Sequence, residues 1–297
     1  MMNEQFEVDF NGNDDNHGGK NPTPFLFVPY FANDNGNRPL PPSVASWNCP
    51  GIHINGIPYN GTLLKVGVEI NLSVRIKNSG ALGTGAVVRI YWSDPTTGFT
   101  PNTLRLIGQT IMYIPALTTL ESPVIRFTPT SLMPAHSCLL VEVTSAMDMS
   151  SGLFNVNQDR HYAQTNINIL LGQSGQKLSF EFNAGNANNE EGEYLIKIRQ
   201  LQEETLKMLE KQYNAEAIHI SLEEIHLRIV EPGIRKRKNQ GLLINLPPKS
   251  QRLCQAIVTV PQYLEVNQFF AFEIQQVNVG AEENNIIGTI GAMVFAK

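Results

Sequence analysis

The residues able to do chemistry are few, and their spacing works against it. His136 and Cys138 stand two apart, so on a strand both face one side, with His161 the one plausible third ligand. Zinc needs a fourth ligand, and same-face residues of a sheet otherwise serve packing, so no metal site is expected there. Asn11-Gly12-Asn13-Asp14-Asp15 and Asp34-Asn35-Gly36-Asn37 have the oxygen-rich character of calcium loops but lack the closing bidentate Glu, and Asx-Gly turns explain both. Gly172-Gln173-Ser174-Gly175 lacks the spacing of a nucleophile elbow and reads as an interdomain linker. Gly18-Gly19-Lys20-Asn21 lacks the first glycine and the hydroxyl of a phosphate loop. The carboxylate pairs Glu203/Glu204 and Glu223/Glu224 are adjacent in sequence and so point apart. His219 and His226 have no carboxylate pattern beside them, and His53 sits at an Asn-Gly turn. Arg235-Lys236-Arg237-Lys238, between Gly233 and Gly241, reads as a hairpin tip. The expectation is a protein without catalytic, cofactor or metal residues, and not an enzyme.

The elements that would position such residues are almost all strands. Hydrophobic residues make up 42% of the 297 and charged residues only 16%, so the surface is covered by Asn, Gln, Thr and Ser, which suits a protein that lies against other protein. A net charge of -5 gives no reason to expect nucleic acid. The apolar runs are too short to span a bilayer. Residues 66–76 alternate, with Val68, Ile70, Leu72, Val74 and Ile76 on one face, and Asn78-Ser79-Gly80 ends the run. Further strands are expected at 86–92, 104–107, 124–127, 137–143 and 164–170. Seven or so strands over about 120 residues, with no helix between them, mark a β-sandwich. Strands return at 178–182 and after Ala215, enclosing a Glu/Lys/Leu-rich segment that predicts a helix near 190–213. Its first turns are ambiguous, because Tyr194, Ile196 and Ile198 also alternate as a strand does.

The resulting fold class is all-β: two immunoglobulin-like sandwiches, residues 46–172 and 176–297, the second carrying the one helix. Residues 1–45 read as an extended arm. Within it Phe25, Leu26, Phe27, Val28, Tyr30 and Phe31 form an apolar patch that must pack, either on its own sandwich or on a neighbouring molecule.

Val74-Arg75-Ile76-Lys77-Asn78-Ser79-Gly80 followed by Val87-Val88-Arg89-Ile90-Tyr91-Trp92 resembles the bacterial adhesion-related immunoglobulin-like modules called CARDB-like. Segments 136–143 and 159–167 resemble their late strands. The resemblance covers residues 47–171 and implies a fold and a habit of mediating contacts, not a reaction.

Two functions follow as expectations. The first is a structural or assembly protein in a homo-oligomer or larger bacterial assembly, with the arm adding a strand to a neighbour's sheet. The second is a glycan- or ligand-binding adhesion module using loops 93–102 and 148–159, with Phe99 and Phe154 as contact residues. The acidic N-terminal stretch lacks the basic start and apolar core of a secretory signal, so a cytoplasmic location, export by another route or incorporation into a particle is expected. On the same ground Asn60-Gly61-Thr62 and Asn71-Leu72-Ser73 read as chance matches to the glycosylation pattern. Cys49, Cys138 and Cys254 read as buried or free thiols rather than a disulfide framework.

Overall fold

The computed structural model describes residues 23–59, 64–133, 137–230, 236–238, 241–279 and 285–297. Residues 1–22, the Asn60 sequon, His136 and Arg235 lie outside them.

The chain is all-β. The first sandwich contains β1 (Leu26–Phe27), β2 (Ile52–Ile54), β3 (Ile57–Pro58), β4 (Ile70–Asn78) and β5 (Thr84–Ser93). It continues with β6 (Arg105–Ile114), β7 (Thr118–Glu121), β8 (Ile125–Phe127), β9 (Cys138–Thr144) and β10 (Tyr162–Thr165). One sheet runs β1-β4-β2-β3, with β7 and β8 also on β4; the facing sheet runs β10-β9-β5-β6. The alternation of apolar residues explains the pairing. Ile70, Leu72, Val74 and Ile76 of β4 meet Ala86, Val88, Ile90 and Trp92 of β5 in a single core. Each large side chain removed from water there contributes roughly 1.5–3 kcal/mol.

The second sandwich holds β11 (Ile167–Gly172), β12 (Lys177–Gly185), β13 (Gly192–Gln200), α1 (Glu203–Tyr213), β14 (Glu216–Ala217) and β15 (Ile225–Ile229). β16 (Lys236–Lys238), β17 (Gly241–Leu246), β18 (Gln251–Thr259), β19 (Gln268–Asn278) and β20 (Ile286–Ala296) complete it. A seven-stranded sheet, β11-β20-β19-β13-β17-β16 with β14 beside β19, faces the three-stranded β12-β18-β15. Phe180, Phe182, Ile196, Phe270, Phe272 and Ile274 are among the residues filling the space between them.

Four expectations change. The apolar arm segment takes the first of its two homes: β1 pairs antiparallel with β4, and Leu26, Phe27, Val28 and Tyr30 are buried in their own sandwich. Only Phe31 of the six is exposed, while Phe25 is half-buried. Residues 23–45 are therefore part of the first domain and are not free to join a neighbour's sheet. Second, the stretch 164–170 is two strands, not one. β10 pairs with β9 in the first sandwich, and β11 runs parallel to β20 in the second. The crossing falls at Asn166, so 172 is not the boundary, and Gln173-Ser174-Gly175 is a turn between β11 and β12. Third, the helix begins only at Glu203. Gly192–Gln200 is β13, where the alternation of Tyr194 and Ile196 into the core overrides helix propensity. Fourth, the strands do return after Ala215, but the first of them, expected over 217–220, is only the two residues Glu216–Ala217, and the next begins at Ile225. α1 packs at home, placing Leu206 and Leu209 with Trp47, Phe269 and Met293. Among the described residues, no helix is long and apolar enough to cross a membrane.

The two sandwiches are joined by backbone as much as by side chains. Asn166 donates its amide to the carbonyls of Thr96 (2.6 Å) and Thr289 (3.0 Å), and its carbonyl accepts from Gly291 N–H at 3.0 Å. The amides of Thr97 and Asn183 reach across to the carbonyls of Asn183 and Pro95, each at 2.8 Å. Gln276 accepts from the Thr97 hydroxyl at 2.8 Å and donates to the Gly185 carbonyl at 2.7 Å. A Cβ on Gly185 would lie 2.0 Å from the Gly98 carbonyl oxygen, and one on Gly288 2.0 Å from that of Thr97. Only glycine allows such approach.

Candidate interaction surface

The outer face of the β10-β9-β5-β6 sheet carries the most informative groups. Register sets them in rows: Leu106, Tyr91, Leu140 and Gln164; then Gln109, Arg89, Glu142 and Tyr162; then Ile111, Val87 and Thr144.

Over β9 and β10 this face is covered by the two loops singled out in the sequence. Phe99, from loop 93–102, is 6% exposed and packs with Cys138, Leu140, Val156 and Tyr162. Phe154, from loop 148–159, is half-buried with its ring centre 5.4 Å from that of Tyr162. The two aromatics expected to meet a ligand instead close the face of their own sheet.

Beneath those loops the ionisable groups lie against one another and their neighbours. Glu142 accepts from Ser150 Oγ (2.6 Å), Arg89 Nη1 (3.0 Å), Tyr91 and Tyr162 (both 3.2 Å). Burial would raise its carboxyl, but the Ser150 and Arg89 hydrogen bonds outweigh that and hold it below its ordinary value. His161 lies between Asp159, 2.6 Å from Nδ1, and Asp148, 3.1 Å from Nε2. Burial would lower the imidazole, yet the two carboxylates outweigh it and raise its pKa. Asp159 is in turn pushed well down despite its burial, by hydrogen bonds from His161 and from Ser151 N–H. Asp148 also accepts from Leu26 N–H at 2.6 Å and pairs with Arg160, whose guanidinium stacks 3.9 Å from the Phe25 ring centre. This network ties β1 and loop 148–159 together. Its groups face one another rather than a cleft, an arrangement suited to holding structure. Cys138, paired in sequence reasoning with His161, points its thiol at Asn166 Oδ1 instead, and burial raises its pKa to about 12.

Over β6 the same face is bare. Among the described residues, β6 is the last strand of its sheet and pairs only with β5. Leu106, Ile111 and Tyr113 are 53%, 70% and 66% exposed, and Met147 and Met149 flank Thr144 at the other end of the Ile111 row, also exposed. From Leu106 to Ile114 there is no charge and no proline, two of the devices that blunt a sheet edge. Sequence reading found only 104–107 of this strand. Gly108 broke the pattern, and a bulge opposite Ile90/Tyr91 shifts its phase. The uncharged run itself was the signal available.

No family model matches the chain, and no curated protein matches it. Among solved structures it is similar to a family 123 glycoside hydrolase from Clostridium perfringens, at 9% identity over 45% of this chain and 23% of that one, TM-score 0.30. It is similar to a putative carbohydrate binding protein from Bacteroides ovatus, at 4% identity over 43% and 34%, TM-score 0.30. It is also similar to the CupB6 tip adhesin of Pseudomonas aeruginosa, at 9% identity over 78% and 92%, TM-score 0.22. The chain thus spans about a quarter to a third of the first two proteins. Likeness this slight carries no argument about function.

Proposed function

We propose that this chain is a non-enzymatic assembly protein whose contact is made by the free edge of β6 and the apolar face beside it. The carrying observation is that edge: ten residues long, without charge after Arg105, and lined by exposed Leu106, Ile111 and Tyr113. An unpaired strand of that length offers a row of backbone donors and acceptors to an incoming strand. The occupant we assign is the same edge of a second copy, paired antiparallel about a two-fold axis. In the register that sets Ile111 against Ile111, Gln109 meets Tyr113, and no like charges oppose anywhere between Leu106 and Ile114. The engagement of Glu142 by Ser150, Arg89, Tyr91 and Tyr162, and of His161 by Asp148 and Asp159, supports the non-enzymatic part of the reading.

Light scattering on the full-length protein and on Ile111→Lys tests it. The expected result is a defined oligomer that the exposed lysine dissociates into monomers that keep the parent's circular dichroism spectrum. A full-length chain that stays monomeric at high concentration would sink the proposal, as would an oligomer indifferent to the substitution.

A further inference from the structure

Between the proline-rich segment 39–46 of the first domain and the outer face of the second domain's large sheet lies a cavity of about 330 Å³. Clefts of this size at domain interfaces are ordinary places for small ligands. Its floor is polar by register: Lys197 sits opposite Gln275 and Arg199 opposite Glu273, with Thr289 beyond Gln275 on β20. Its other wall is apolar, built by Pro39, Leu40, Pro41, Pro42 and Val44.

The hydrogen-bond inventory is lopsided. The acceptor at the floor is already satisfied: Glu273 accepts from Trp47 Nε1 at 2.9 Å and from Gln275 Nε2. The donors are not. Lys197 makes no hydrogen bond or ion pair among the described residues. Arg199 gives one nitrogen to the Pro42 carbonyl at 3.1 Å and holds another 3.7 Å from Glu273. Two cations face a single carboxylate.

We infer that this cleft binds a small organic carboxylate, its acid group meeting Lys197 and Arg199 and its apolar body lying along the proline wall. Free donors and excess positive charge call for an anionic acceptor, while the proline wall excludes a fully hydrated ion. The site is separate from the β6 edge, so either reading can fail alone.

Phenylacetate and its neutral amide, phenylacetamide, are the probes, titrated by calorimetry into the full-length protein and Lys197→Gln. The expected result is saturable phenylacetate binding, preferred over the amide by about tenfold, as one charge-assisted hydrogen bond would give. Lys197→Gln should remove that preference. Equal binding of acid and amide, no binding at millimolar probe, or full phenylacetate affinity in Lys197→Gln would overturn the inference.

Discussion

At the end of β4, Asn78 is fully buried and directs its amide nitrogen at the carbonyls of Leu82, Ile114 and Pro115, while its oxygen accepts from Phe25 and Gly80 N–H. Asn186, just past β12, does the same with Glu190, Leu246 and Pro247. Each is a short side chain able to satisfy several backbone groups where a strand stops. The first was legible as an Asn-x-Gly turn. What was not legible is that its oxygen captures β1, because that contact spans 53 residues. His161 finds its partners nearer in sequence, at Asp159 and Asp148. Its charged form, held between those two carboxylates, stabilises the folded state. The imidazole pKa is raised on folding, so this contribution is complete below the unfolded value near 6.5 and is lost as pH rises through the folded value. Asp159, depressed, stays ionised throughout that range. The stability gap between the parent and His161→Gln, read from urea melts, should be widest below about pH 6 and narrow towards alkaline pH.

Among the elements, β4 and β5 were readable because their alternation is regular and one face of each is core. β1 was readable only as an apolar patch, since a two-residue strand has no period. β13 shows the opposite difficulty: Glu193, Lys197 and Arg199 favour helix, yet they stand on the outer face of a strand whose other face is Tyr194, Ile196 and Ile198. Composition reported the exposed side and topology decided the conformation. Loops 93–102 and 148–159 were recognised as loops, but nothing local says that Phe99 folds back onto Leu140 and Tyr162. Placing β1 in the core makes a sharp expectation. A protein starting at Ser43 loses Leu26, Phe27, Val28 and Tyr30, at roughly 2 kcal/mol each, a sum comparable to a whole domain's stability. It should show no cooperative thermal transition by circular dichroism. A stably folded truncation would mean that β1 is dispensable to the sandwich.

For the whole molecule, the seam between the sandwiches decides the behaviour. Where the Gly98 and Thr97 carbonyls of one domain lie directly against Gly185 and Gly288 of the other, no side chain stands between the two backbones to slide or tilt. The two cores should therefore melt together. Calorimetry is expected to show one transition for the parent protein. Gly185→Ala forces a Cβ to within 2.0 Å of the Gly98 oxygen and should lower the melting temperature and split the transition in two. A parent protein that already melts in two steps would count against the seam as a coupling element. The seam was invisible in the sequence for a plain reason: Gly98, Gly185 and Gly288 each sit at what look like ordinary turns or strand ends.

The parallel pairing of β11 with β20 also has a mechanical meaning. Six residue pairs, from Ile167 beside Gly291 to Gly172 beside Ala296, lock the strand that enters the second sandwich to the strand that ends it. Tension applied between the first sandwich and the end of β20 pulls these two strands in opposite directions along their length. The load falls on all the ladder bonds at once, in shear, instead of opening them one after another like a zip. A chain stretched that way resists as a clasp does, and the first thing to yield would lie elsewhere in the molecule.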